Sequence, residues 1–125
     1  MTGFLLVFLG GGLGAALRHG MNMVVPRLLG IGFPYATIIE NVSGSLVMGL
    51  LAGYFAFKGD AVQPMRLFLA TGVLGGYTTF SAFSLDTMLL WERGQHALAG
   101  SYVLASVAAS IGGLVLALAL VRHLT

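Results

Sequence analysis

Thr71-Gly72-Val73-Leu74-Gly75-Gly76-Tyr77-Thr78-Thr79-Phe80 interrupts an apolar stretch running from Pro64 to Trp91, and its reading decides the fold. A bilayer crossing takes roughly 20 apolar residues as a helix. The stretch is long for one crossing, and three glycines followed by a polar Tyr-Thr-Thr run predict a broken helix near its middle. Unsatisfied backbone inside hydrocarbon costs several kcal/mol per group, so a break at membrane depth must be buried in protein or line a site. Carbonyls freed at such a break could coordinate a small cation, as unwound transporter helices do. Gly72 and Gly76 also form a small-xxx-small pair, which packing alone would explain. The two readings are compatible.

Working outward, the flanking segments are equally apolar. Helices are predicted over about 3–25, 34–57, 64–91 and 97–121, as one unit spanning residues 1–125. Pro26 is expected to end the first helix by restricting Val25. Pro34 opens the second at a first-turn position where its missing N–H costs nothing. The segments 26–34, 58–63 and 92–96 read as short connectors. The first apolar run lacks a basic amino-terminal region and a cleavage site, so it reads as a retained helix rather than a signal peptide. Of the 125 residues, 58% are hydrophobic and only 8% charged, where soluble domains carry about a quarter charged residues. The chain therefore reads as an all-α integral membrane protein. The formal charge of +2 comes from dispersed Arg and Lys, without the basic stripe that nucleic-acid binding requires. There are no cysteines, which excludes disulfides and thiolate metal sites.

Loop charges set orientation. Lys58, Arg66 and Arg122 fall on one side, with Arg27, Arg93 and, if it leans outward, Arg18 on the other, so the bias is close to zero. Such a chain can insert both ways, and opposed copies can pair about a twofold axis in the membrane plane. Short loops carrying a weak topology signal would look the same.

Polar residues are sparse and ordered. Phe80 and Phe83, three apart, share a helix face; their electropositive ring edges could stabilise a dehydrated small anion, although such a pair more commonly packs. Asn41 has Thr37 and Ser45 four residues to either side, and its amide can donate to an anion. Tyr102, Ser106 and Ser110 repeat at the same step. Interhelical hydrogen bonding would account for both stripes equally well. No nucleophile-base pair or Walker motif is present, so the sequence offers no enzyme reading.

The run Gly72-Val-Leu-Gly-Gly-Tyr-Thr-Thr-Phe-Ser-Ala-Phe-Ser84 resembles the signature of the Fluc (CrcB) fluoride channel family. Gly10-Gly-Gly-Leu-Gly-Ala-Ala-Leu-Arg18 supports the resemblance. So does Ala36-Thr-Ile-Ile-Glu-Asn-Val-Ser-Gly-Ser45, similar to the family's Gly-Thr-Leu-x-x-Asn-x-x-Gly-Ser. The resemblance covers essentially the whole chain. It implies a dual-topology antiparallel homodimer in a bacterial inner membrane, with two pores that passively export fluoride. By position it implies pore roles for Phe80, Phe83, Asn41, Thr37, Ser81, Tyr102, Ser106 and Ser110. It also implies a structural sodium ion at the dimer centre, held by backbone carbonyls of Gly75 and Thr78. Fluoride is small and strongly hydrated, so such a pore replaces water with individually modest donors and ring edges in sequence.

The chain departs from the family pattern at Glu40, at Ala36 where Gly is usual, and at His19 where an aromatic is common. Glu40 gives a competing reading its one foothold: a dual-topology proton-coupled exporter resembling the small multidrug transporters. A purely structural membrane subunit would explain the small residues but not the hydroxyl ladder. Counting residues from the loops puts Arg18, Glu40 and Asp86 in one layer, roughly 10 Å below one membrane surface. Embedded charges are expensive and usually pair. Arg18 is thus expected to be balanced by Glu40, Asp86 or both, as the charges of a vestibule near Asn41.

Overall fold

A computed structural model describes residues 1–56, 58 and 62–124. All regular structure among the described residues is helical, without strands. Helix α1 covers Thr2–Leu29 and α2 covers Tyr35–Phe55. A third stretch follows as α3 (Gln63–Arg66), a π-helical segment (Leu67–Leu74) and α4 (Gly75–Tyr77). After a break, α5 spans Ser81–Glu92 and α6 spans His96–Leu124. Three of these helices, α1, α2 and α6, are each long and apolar enough to cross a membrane.

Pro26 does not end the first helix as the sequence predicted; it lies inside α1. A proline removes a single i→i−4 bond, and the next turn forms regardless. The stop comes at Gly30, whose φ of 87° a side chain would resist and whose N–H donates to the Pro26 carbonyl at 2.9 Å. Pro34 stands one residue before α2, as its N-cap. The predicted end of the second helix at Phe57, and Gly59, Asp60 and Ala61 of the 58–63 connector, lie outside the described residues. The 92–96 connector is confirmed as tight: Gly94 takes φ 80° and donates to the Trp91 carbonyl.

The helices approach through glycine. α1 lies against the π-helical segment and α4, where a Cβ on Gly10 would come within 3.0 Å of the Gly72 Cα. Gly72 and Gly76 therefore do serve packing. α2 packs most extensively on α6, and a Cβ on Gly49 would sit 2.9 Å from that of Ala117. Between α5 and α6 lies a core of Phe83, Leu90, Ala99 and Tyr102. Elsewhere large apolar side chains face outward, among them Phe4 (82% exposed), Phe8 (77%) and Leu104 (73%). This surface suits lipid or another protein, and no water-soluble domain would tolerate it.

Candidate functional site

The break falls on Thr78, Thr79 and Phe80, one turn later than the glycines. Gly75 and Gly76 remain helical, and the backbone extends at Thr78 with φ −86° and ψ 156°. Side chains from three directions take the place of the missing helix bonds. Asn41 of α2 grips Thr79 at two points: its Nδ2 donates to the Thr79 carbonyl at 2.9 Å, and its Oδ1 accepts from the Thr79 N–H at 2.8 Å. Arg18 of α1 donates from Nε to the Gly76 carbonyl at 3.1 Å. Thr79 Oγ1 accepts from the Ala82 N–H at 3.1 Å, which satisfies one of the open N–H groups in the first turn of α5.

These substitutions leave specific carbonyls without helical donors. The N–H that would bond Gly75 belongs to Thr79 and goes to Asn41; the one that would bond Thr78 belongs to Ala82 and goes to Thr79 Oγ1. Both oxygens are of the hard, neutral kind that suits an alkali or alkaline-earth cation. Among the described residues no three His, Cys, Asp or Glu side chains group together as metal ligands.

Beside the break lies an open cavity of about 330 Å³, lined by Asn41, Thr78, Phe80, Phe83, Ser106 and Ser110, with Ser45 and apolar side chains of α2 and α6. Five of the eight predicted pore residues thus share one wall. Phe80 is 77% exposed and Phe83 buried, with ring centroids 5.5 Å apart. The Ser106 hydroxyl is buried and has no hydrogen-bond partner. A second cavity, of about 340 Å³, opens at the connector end of α1 and α2 and holds Thr37, Asp86, Asn22 and Arg93. Tyr102 stands between the two, fully buried. Its ring lies 5.2 Å from that of Phe83, and its hydroxyl donates to Asp86 Oδ2 at 3.1 Å.

Three further predicted residues line neither cavity. Ser81 lines neither cavity; it is exposed, with its hydroxyl 3.2 Å from that of Thr79. Arg18 forms no ion pair with Glu40 or Asp86, because its guanidinium serves the Gly76 carbonyl at the C-terminal end of α4, where a cation is favoured. Glu40 is 1% exposed, lines neither cavity, and has both carboxylate oxygens unpartnered. Arg18 and Asp86 nevertheless lie within electrostatic reach of it.

Two features had weaker sequence signals. Thr79 acts as both acceptor and donor at the break, although only its place in a polar run hinted at it. Ser43 meets the Tyr77 hydroxyl at 3.1 Å, tying α2 to α4.

Residues 5–118 match the family described as CrcB-like protein, Camphor Resistance (CrcB). The chain belongs to the CrcB family. Among its relatives, one from Rhodopseudomonas palustris, named Fluoride-specific ion channel FluC, is 66% identical over 122 residues, covering 98% of each chain. One from Nitrobacter hamburgensis, named Fluoride-specific ion channel FluC 2, is 63% identical over 122 residues, again covering 98% of each. A third, from Beijerinckia indica and also named Fluoride-specific ion channel FluC, is 58% identical over the full length of both chains. The names describe channels and not enzymes. Membership of the CrcB family and the apolar helices together make this a multi-pass membrane protein.

Proposed function

We propose that this chain is a fluoride-selective channel, working as an antiparallel homodimer with two pores, through which fluoride leaves the cell passively. The observation that carries the reading is the cavity at the break, where Asn41, Ser106, Ser110, Phe80 and Phe83 line one space. Such a wall offers a small anion several modest donors and no fixed positive charge, so it can replace water without trapping the ion. The negative cell interior drives an accumulated anion outward.

In this reading the third stretch, Gln63–Glu92, makes the fourth crossing through its break. Phe80, left bare on a single chain, meets the partner chain, and the uncovered apolar faces are shared between lipid and that partner. Thr37, Tyr102 and Asp86 extend the polar path toward the second cavity, and Ser81 joins it at the dimer interface. Backbone oxygens of Gly75 and Thr78 from two opposed breaks would hold a sodium ion at the dimer centre, supplying charge to carbonyls that lipid cannot solvate. The alternative, a proton-coupled exporter, rests on Glu40, which lines neither of the two cavities.

Vesicles loaded with fluoride or chloride and holding only the purified protein test the reading. A fluoride electrode outside should record efflux with little accompanying chloride. Equal chloride leak, or no fluoride flux from well-folded protein, would overturn it.

A further inference from the structure

Glu40 is a buried acid that neither the packing nor the conduction path explains. It is 1% exposed, and neither carboxylate oxygen has a hydrogen-bond partner. A carboxylate placed so, when ionised, has lost its water and gained no donor, and in low dielectric that cost is several kcal/mol. The neutral acid avoids most of it. Glu40 also directly precedes Asn41, which lines the main cavity, and it follows Thr37 by one helical turn, so both cavities flank its position on α2.

We propose that Glu40 is a proton-operated control on anion passage: the neutral carboxyl permits flow, and the ionised carboxylate opposes it. The inference rests on the conduction reading above. Groups that face Glu40 come from each neighbouring helix: Arg18 on α1, Asp86 on α5 and Tyr102 on α6. Tyr77 of α4 is engaged with Ser43, and His19 on α1 is exposed. With Glu40 neutral, Arg18 and Asp86 offset one another and the layer carries no net charge. With Glu40 ionised the layer turns negative beside the path, and an anion meets repulsion. A single charge roughly 10 Å away in a medium of intermediate polarity changes an ion's occupancy by about tenfold.

The test is fluoride efflux from vesicles at equal internal and external pH, from about pH 5 to about pH 9, a range spanning ordinary side-chain acids and histidine. Protein-free vesicles are subtracted at each pH, because hydrogen fluoride crosses bare lipid. Wild-type flux is expected to fall about tenfold toward alkaline pH, while Glu40→Gln holds the acid-side rate throughout. Glu40→Ala, which removes the acid without replacing it, should be equally flat. Infrared difference spectra of wild type against Glu40→Gln supply a readout independent of flux, namely a protonated-carboxyl band that disappears on alkaline titration. Superimposable profiles in wild type and Glu40→Gln would overturn the proposal and leave conduction standing. So would a dependence that survives in Glu40→Gln but vanishes in Asp86→Asn. Absence of fluoride flux at every pH would overturn the conduction reading and this control with it.

Discussion

At the scale of single residues, Asn41 shows the interhelical hydrogen bonding that the sequence left open beside anion donation. Its place in a polar stripe pointed to anion donation, but one amide N–H and the carbonyl oxygen are committed to Thr79. Only the second N–H is left to face the cavity. Asn41→Leu keeps the approximate volume and strands both Thr79 groups. It should therefore destabilise the protein by about 2 kcal/mol or more, read as a lower midpoint in thermal unfolding in detergent. Asn41→Asp, which can still accept from the Thr79 N–H, should lose less stability. Phe80 is separable from such effects because it packs against little of its own chain. Phe80→Ile keeps apolar bulk and removes the ring edge, so fluoride flux should fall about tenfold with assembly unchanged on size-exclusion chromatography. Wild-type flux from that variant would return the ring to a packing role.

At the scale of elements, the broken helix was legible and its mechanism was not. Gly72, Gly75 and Gly76 suggested a break at the glycines, yet all three are helical, and Gly72 and Gly76 serve the close approach of α1. The chain breaks where hydroxyl and amide side chains can replace the backbone bonds, which depends on partners 38 and 58 residues away. No local pattern reveals such partners. Pro26 misled for the opposite reason: a local rule was applied where the following turn is stable enough to absorb it. The π-helical segment Leu67–Leu74 left no readable trace either, since its apolar residues suit any buried helix. Gly44, Gly49 and Gly53 were equally silent in the sequence, though they set the spacing of α2 against its neighbours. Gly49→Val should force α2 from α6, costing about 1–3 kcal/mol, measurable as a lower unfolding midpoint. Gly12→Ala, where nothing lies within 4 Å of the new Cβ, should cost far less.

At the scale of the whole molecule, the balanced Lys and Arg leave no electrostatic preference for either orientation. A single cysteine at Lys58, in this chain without native cysteines, should be labelled from both faces of the membrane in cells. Labelling from one side alone would rule out the antiparallel pair while leaving the single-chain fold untouched. The apolar periphery explains why the assembled state was harder to read than the fold: hydrophobic pattern marks a face as dry without saying what dries it. One arrangement described above also gives the molecule a built-in clock. The Thr79 amide is shielded by a side chain of another helix, whereas ordinary helical amides are shielded by their own turn. Its hydrogen–deuterium exchange therefore times the parting of α2 from the break, and not the fraying of any helix. Slow exchange there, beside fast exchange at Phe80 and Ser81, would mean that the bend in the third stretch is held from outside, as a bow is held by its string.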